Sequence, residues 1–408
     1  MLKKSHFFEF FNRSQAQDFE TLSAVGTEDE DFINWNEFLM PQHYGHDQHG
    51  TADPAEYEYL CIRNSAAICD VSPIRKIRVR GSHAGEFFDH LLTRPVSTLP
   101  AMRATYTVLC EEDGNMKDDA ILYKYADDDY LIMPSDIDHS PYFEALAATL
   151  ALPNVGFTEC TDDLVGLAIQ GPLSALVLQQ LGFKQIELLR PFDVRAYNFY
   201  GGIVHVSRVG FTADLGYECW FKPSLSDAMK AGIEATRTRM DCDIPGYGLG
   251  ALEACRLEGA FIVAGWDCAS EIDPQPGFER SPYELGLGWL VNLEAANFVG
   301  REALLAQKEN GTRHVLRTFE FESNCPPDAG TKIYTGPNQN GSVIGTINCS
   351  AWSWGLQKLI GNASIHSEHA AKENAWITVA GQHHELKISS GAFIELKRRN
   401  QVPAPLHS

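Results

Sequence analysis

The sequence after residue 311 consists of short β-like runs, and this texture constrains the fold more than any other feature of the chain. Pro, Gly or Asn separates the runs at intervals of roughly eight to twelve residues. The runs are VLRTFEF, TKIYTG, SVIGTI, AWITVAG, HELKI and FIELK. Such regular spacing is typical of a small sandwich or barrel. We therefore place a domain boundary near Gly311 and predict a small all-β sandwich or barrel over residues 311–408.

Residues 55–310 have a different pattern, in which strand-like and helix-like runs alternate. The predicted strands are KIRVR, ATYTVLC, AILYKY, DYLIM, LVGLAIQ and IVHVSRV. Helices are predicted around AGEFFDHLL, after Gly171-Pro172 and from Leu225 to Thr236. This order predicts an α+β core of two mixed α/β units. A chain of 408 residues is long enough for two or three compact units in all.

Residues 1–54 are predicted to be an N-terminal extension. From Phe19 to about Asp53, the acidic run GTEDEDF and irregular hydrophobic spacing suggest that the chain wraps on the surface or is partly ordered. Glu9, Asn12 and Arg13 interrupt the aromatic cluster HFFEFF before a continuous apolar region forms, which argues against a signal peptide. No apolar stretch reaches the roughly eighteen residues that a membrane-spanning helix needs.

Net charge narrows the range of expected partners, and cysteine content indicates the redox state and location. The formal net charge of −21 repels phosphate backbones and anionic lipids, so neither nucleic acid nor a membrane is expected as a partner. A small molecule or another protein fits better. The ten cysteines include no CxxC pair. This predicts reduced, mostly buried thiols and a cytoplasmic location.

Motifs exclude several kinds of catalytic site. The chain has no P-loop signature, no HExxH and no GxSxG, and its histidines do not fall at metal-ligand spacings, so no metal is expected. What remains is a set of carboxylates and arginines inside otherwise apolar elements.

The pair Asp118-Asp119 opens the strand-like run AILYKY. Alternation places Asp119 on the face of Ile121, toward the core, and turns Asp118 to solvent. A carboxylate among apolar groups is costly unless it is hydrogen-bonded, so Asp119 is a candidate site residue. The alternative is an aspartate at the end of a turn that caps backbone amides.

Glu218, in the strand-like run LGYECWF, and Arg256, in the helical run LEACRLEGA, are two further candidates. Each is a charged residue within an apolar element. Each could equally be half of a structural ion pair, and sequence spacing alone leaves both alternatives open.

The order of motifs along the chain resembles that of the glycine cleavage T-protein (aminomethyltransferase) family, which includes tetrahydrofolate-dependent demethylases. The resemblance covers nearly the whole chain after residue 55. It rests on the segments CDVSPIRKIRVRG, TRPVSTL, ATYTVLCEEDGNMKDDAILYKY, LAIQGP, SRVGFTADLGYE, YGLGALEACRLEGA and SPYELGLGWLVNLEAANFVGREALL. It implies a three-domain folate-binding fold with a C-terminal β-barrel, and tetrahydrofolate as the cofactor.

The resemblance also implies a catalytic role for Asp119, which matches an acid beside the reactive part of the pterin. Tyr106 matches a tyrosine that lines the pterin pocket, and Glu218 matches the acid that hydrogen-bonds the pterin amino edge. Arg256 matches an arginine near the anionic folate tail. Two further pterin-pocket positions are occupied by Ser135, where the family has asparagine, and Phe211, where it has tyrosine. An aromatic wall, a carboxylate and a guanidinium suit these three parts of the ligand.

Several segments depart from the family pattern. SPIR (residues 72–75) stands in place of SHMG, MPSDI (residues 133–137) replaces VVNAS, and the segment AGWDCASEIDPQPGFERSPYE is longer than usual. These changes favour a demethylase that moves a methyl group from a small-molecule donor to tetrahydrofolate. The alternatives are an aminomethyltransferase that acts on a lipoyl carrier protein, and a folate-binding protein without catalysis.

A cationic methyl donor would need an aromatic cage. The candidates for it are Trp220, Trp266, Trp289, Trp352 and Trp354.

Overall fold

The computed structural model describes residues 2–11, 32–45, 53–271, 273–295, 297–337 and 341–401. The acidic run at residues 26–31 lies outside these ranges. Within them, no helix is long and apolar enough to cross a membrane. All ten cysteines are in the described ranges and carry free thiols, most of them buried, which confirms the predicted unpaired thiols.

Helices and strands alternate through the first 310 residues, and strands dominate after them. The described helices are α1 (Phe8–Phe11), α2 (Pro54–Asn64), α3 (Ala84–Leu91), α4 (Ser140–Thr149), α5 (Ser174–Gln180), α6 (Ser226–Met240), α7 (Leu249–Glu258), α8 (Arg301–Asn310) and α9 (Lys397–Asn400). The strands are β1 (Phe32–Trp35), β2 (Phe38–Pro41), β3 (Ala67–Asp70), β4 (Ile77–Arg80), β5 (Arg103–Cys110), β6 (Met116–Ala126), β7 (Asp129–Met133), β8 (Gly156–Glu159), β9 (Val165–Gln170), β10 (Val194–Phe199), β11 (Gly202–Ser207), β12 (Gly216–Phe221), β13 (His314–Phe321), β14 (Lys332–Tyr334), β15 (Val343–Ser353), β16 (Lys358–His366), β17 (Asn374–Val379) and β18 (Gln382–Ser389).

The first large sheet is antiparallel and has the strand order β5-β6-β7-β4-β8. Helices α3 and α4 cover one face, where Phe87 and Phe143 pack against Ala120 and Leu122 of β6. Because side chains alternate along a strand, the intervening residues of β6 point to the opposite face. Asp119 therefore lies on the face that the helices leave free.

The second sheet is also antiparallel, with the order β10-β11-β12-β9-β3. Helices α5 and α6 cover one of its faces. On the other face, Trp220 of β12 and Ala168 of β9 share a buried cluster with Tyr123 and Leu131 of the first sheet. The uncovered faces of the two sheets thus meet, and the candidate site lies between them.

The C-terminal strands form a closed six-stranded barrel in the order β13-β16-β15-β14-β17-β18, which confirms the predicted barrel. Its core includes Phe319, Ile347, Ile377 and Leu386. The predicted boundary at Gly311 falls between the end of α8 at Asn310 and the start of β13 at His314.

Two details of the barrel prediction were wrong. The sequence KLIGNASIH forms the central strand β16, although its Gly and Asn resemble turn signals. FIELK is not a strand, because the amides of Phe393 and Ile394 donate instead to the carbonyl of Glu258 at the end of α7. Hydrogen bonds to a distant helix terminus thus replace strand pairing there.

The described parts of residues 1–54 pack against the body of the protein. Phe7 and Phe11 are fully buried in the core of the second sheet, where Phe7 meets Phe221 edge to face at 6.2 Å. Strands β1 and β2 form a hairpin, and Tyr44 after it is also buried. Burial of this aromatic cluster ties the extension to the body of the protein.

Candidate active site

Asp119 and Tyr106 form the centre of the candidate site. Tyr106 lies on β5 and Asp119 on the neighbouring β6, on the face that meets the second sheet. The Tyr106 hydroxyl donates a hydrogen bond of 2.8 Å to Oδ2 of Asp119. Both side chains are only half-buried, so they border an accessible space between the sheets.

The carboxyl group of Asp119 holds its proton unusually tightly. Burial, followed by the negative charge of Asp118, raises its pKa from 3.8 to about 7. The hydrogen bond from Tyr106 acts in the opposite direction, because it stabilises the carboxylate. A carboxyl group with a pKa near neutrality can both accept and return a proton, as acid–base catalysis requires.

Asp118 does not point to solvent, so that prediction was wrong. It is fully buried, because its face of β6 is the one that α3 and α4 cover. Its Oδ2 accepts hydrogen bonds from Ser135 at 2.9 Å and from Nε2 of His139 at 2.8 Å. Strand alternation was predicted correctly, but the exposed face was not, since both faces of this sheet are covered.

Ser135 is therefore placed beside Asp118, with its hydroxyl donating to that carboxylate. Its predicted contact with the pterin stays a prediction. His139 was not predicted as part of the site. It precedes helix α4 and has no motif partner in sequence, so only the folded chain brings it to Asp118.

Glu218 lies on β12, across the space between the sheets. Its Oε2 accepts hydrogen bonds from the Tyr123 hydroxyl at 2.9 Å and from Nε1 of Trp220 at 3.2 Å. Burial raises the pKa of Glu218, while these two donors lower it. No hydrogen bond reaches Oε1 from any described residue, so this oxygen is free to accept from a ligand.

Tyr123 connects the two sheets. It lies four residues after Asp119 on the same face of β6, and its hydroxyl contacts Glu218 on the opposing sheet. Sequence reasoning missed Tyr123, although its alternation with Asp119 and Ile121 was visible. The structure thus pairs Tyr106 with Asp119 on one sheet and places Glu218 on the sheet that faces it, and their sharing of one ligand stays a prediction.

Arg256 is placed differently from the other candidates. Its side chain is 1% exposed, and its guanidinium donates two hydrogen bonds to Glu253 and one, of 2.5 Å, to Asp267. A further bond goes to the Phe261 carbonyl. These partners nearly saturate the guanidinium, so the alternative of a structural ion pair describes its packing.

Phe211 stacks on Phe261, with ring centroids 5.3 Å apart and an angle of 25° between the planes. The guanidinium of Arg399, in α9, lies 4.5 Å from the centroid of the Phe261 ring. Arg399 has no carboxylate partner among the described residues. It is a second arginine near the Phe211 loop, and no sequence motif had pointed to it.

The five tryptophans do not form a cage. Trp220 is buried behind Glu218, and no two of the five are in ring contact within the described part of the chain. Trp289 lies next to a candidate site residue: it is 66% exposed, and its ring centroid lies 6.2 Å from that of Tyr106.

The segments SPIR and MPSDI, which had suggested an unusual donor, bind the N-terminal hairpin. Trp35 donates a hydrogen bond of 2.7 Å to Asp136, and Arg75 donates one of 2.7 Å to Asn36. Asn36 in turn donates to the carbonyl of Pro73. The departures are therefore explained by packing of the extension, and they no longer favour a demethylase.

Two facing antiparallel sheets followed by a closed barrel form the architecture that carries these residues. Residues 20–295, well over half of the chain, match the family model described as the GCVT N-terminal domain. The chain belongs to this family, and it is a transferase that uses tetrahydrofolate.

Known relatives agree with this assignment. The chain is similar to an aminomethyltransferase of Caldanaerobacter subterraneus subsp. tengcongensis, with 29% identity over 79% of this chain and 84% of the relative. An aminomethyltransferase of Alkaliphilus oremlandii is 30% identical over 77% of this chain and 82% of the relative. These relatives support the aminomethyltransferase alternative better than the demethylase that we predicted first.

A solved structure shows the same fold. The glycine cleavage system aminomethyltransferase T from Bartonella henselae superposes with a TM-score of 0.78 at 20% identity, covering 98% of this chain and 99% of that one. The likeness confirms the predicted α+β fold with its C-terminal barrel.

Proposed function

We propose that this protein transfers an aminomethyl group to tetrahydrofolate, with ammonia as the second product. The observation that supports this most directly is the pairing of Asp119 with Tyr106 opposite Glu218, across the space between the sheets. The relatives' names add the kind of group transferred.

The residues of the site suit the proposed acceptor. Oε1 of Glu218 can accept from the amino edge of a pterin, while Oε2 is held by Tyr123 and Trp220. The Tyr106 ring offers an apolar wall beside Asp119. Tetrahydrofolate supplies two nucleophilic nitrogens that bind the transferred carbon.

The proton balance defines the role of Asp119. Transfer of S–CH2–NH2 carbon to two folate nitrogens removes one hydrogen from each nitrogen and delivers one to ammonia and one to the released thiol. Asp119 can take a proton from the folate side and return it to the leaving groups, because its pKa of about 7 suits both directions. No oxidant or reductant is required.

The donor in this proposal is an aminomethylated lipoyl arm on a carrier protein. Such an arm has to reach the reacting groups from the protein surface. The partial exposure of Tyr106 and Asp119 is compatible with this access. A small-molecule methyl donor remains a second candidate on one observation, the exposed ring of Trp289 beside Tyr106, which could contact a cationic methyl group.

The two candidates are separated by product analysis. The protein is incubated anaerobically with tetrahydrofolate and either an aminomethylated lipoyl carrier protein or sulfonium, quaternary ammonium and methoxy compounds. We expect ammonia and 5,10-methylenetetrahydrofolate with the carrier. Formation of 5-methyltetrahydrofolate with a small molecule alone would support the second candidate, and no modified folate in any reaction would contradict both.

The Asp119→Asn variant tests the assigned chemistry. We expect it to fold and to bind tetrahydrofolate, but to lose turnover by about 10²- to 10⁴-fold, because the amide cannot accept a proton. Asp128→Asn, in the exposed turn between β6 and β7, is the matched control and should keep full turnover. Near-wild-type turnover in Asp119→Asn would contradict the role.

A further inference from the structure

Asp118 is a buried carboxylate that the transfer reaction itself does not use. It is fully excluded from solvent, yet three donors converge on it. Its Oδ1 accepts from the backbone amide of Asp119 at 2.8 Å, and its Oδ2 accepts from Ser135 and His139. Three hydrogen-bond donors thus compensate the burial of this carboxylate.

The hydrogen-bonding pattern of His139 fixes the charge of the cluster. Its ring is 1% exposed and stacks on Phe143 at 5.8 Å. Nε2 contacts Asp118, while Nδ1 is buried without a partner in the described structure. An imidazolium would leave a buried Nδ1–H donor unpaired, which is costly, so the neutral ring with Nε2–H fits best. Asp118 and His139 together therefore carry one negative charge.

We propose that Asp118, held by His139 and Ser135, is a positioning residue for Asp119: it fixes the Asp119 amide and places a buried, hydrogen-bonded carboxylate next to the reacting residue. The inference rests on the proposed function for its purpose, but its geometry does not depend on the identity of the donor.

The other groups that face Asp119 each either raise or lower its pKa. From β5, Tyr106 donates to Asp119 and so favours the carboxylate. Asp267, in the loop after α7, disfavours the Asp119 carboxylate by like-charge repulsion, although Asp267 is itself paired with Arg256. The Cys268 thiol stays neutral, because burial raises its pKa. Of the two acids that raise the pKa of Asp119, Asp118 is the one that no described lysine or arginine pairs with.

A thermodynamic cycle measures the coupling without any donor. The unfolding free energies of wild type, Asp119→Asn, Asp118→Asn and the double variant are determined by chemical denaturation between pH 4 and pH 8. A carboxyl group with a raised folded-state pKa stabilises below its unfolded pKa, and this stabilisation is lost as pH rises through the folded pKa. Wild type should therefore lose stability relative to Asp119→Asn until about pH 7.

We then compare Asp118→Asn with the double variant. The pH-dependent loss of unfolding free energy should be complete about one pH unit lower there, because the charge that repels the Asp119 carboxylate is gone. Tyr106→Phe should move it to higher pH, and Asp128→Asn should leave it unchanged. An identical pH range with and without Asp118 would overturn the proposal. If Asp118→Asn does not fold, Asp118→Ser repeats the cycle without the charge.

Kinetics separate this inference from the proposed function. The pH profile of kcat/KM should shift toward acid in Asp118→Asn by the same amount as the stability cycle. A shifted cycle without turnover of any donor would contradict the proposed function and support the inference. Uniform loss of kcat/KM at every pH, with no shift in either measurement, would show a merely structural role for Asp118.

Discussion

At the scale of single residues, Glu218 determines how the site would bind a pterin. One of its oxygens is held by Tyr123 and Trp220, and the other has no partner among the described residues. Burial raises its pKa, so it gains a proton at a higher pH than an ordinary glutamate. Only the carboxylate can accept two N–H donors, and tetrahydrofolate affinity should therefore fall as the pH is lowered.

Glu218→Gln should weaken tetrahydrofolate binding by about 10- to 100-fold and make it less sensitive to pH. Anaerobic isothermal titration from pH 5 to pH 8 measures both effects. Glu144→Gln, on the exposed side of α4, is the control and should bind like wild type. Equal affinities for wild type and Glu218→Gln would remove Glu218 from the ligand site.

Residue patterns predicted the site unevenly. Alternation along β6 correctly placed Asp119 on the face opposite Asp118, because a strand has only two faces, but it left the role of Asp119 open. It could not show that Asp118 is also buried, since that depends on α3 and α4. For Arg256, the resemblance implied a ligand contact, whereas the fold surrounds it with Glu253 and Asp267. Partners distant in sequence decide such cases.

At the scale of elements, the N-terminal segment contributes a buried aromatic cluster to the second sheet. Phe7 is fully buried and contacts Phe11 and Phe221. Phe7→Ala should lower the free energy of unfolding by about 3–5 kcal/mol, because it removes a large buried ring and leaves a cavity. Denaturant titration of the intact chain measures this change.

Glu9→Ala, two residues further along the chain in α1, is the matched control. The Glu9 side chain is 80% exposed, so its loss should change stability by less than about 0.5 kcal/mol. A loss below about 1 kcal/mol for Phe7→Ala would mean that α1 does not belong to the core. The cluster HFFEFF is visible in the sequence, but its burial depends on contacts with distant residues such as Phe221, which no local pattern reveals.

At the scale of the whole molecule, the C-terminal segment joins the barrel to the body. Arg398 donates to Asp214 at 2.6 Å and to the carbonyl of Arg63, and Arg63 also pairs with Glu258. Ser353 of the barrel donates to the same glutamate. These partners are up to 335 residues apart in sequence, which is why the barrel was predictable but its attachment was not.

Net charge makes the position of each unpaired cation important. On a protein of charge −21, an anionic folate tail needs a local cation. Arg256 is nearly saturated by its carboxylate partners, whereas Arg399 stacks on Phe261 with no carboxylate partner in the described ranges. We therefore expect Arg399, rather than Arg256, to pair with the tail.

Arg399→Ala should weaken tetrahydrofolate binding by about tenfold, the size of one charge-assisted hydrogen bond. It should not affect a reduced pterin that lacks the glutamate tail, because that ligand offers no anion. Arg190→Ala, with a side chain 75% exposed, controls for the loss of one positive charge from the molecule. Equal losses for both ligands in Arg399→Ala would show that the arginine supports the Phe211–Phe261 stack instead of binding the tail.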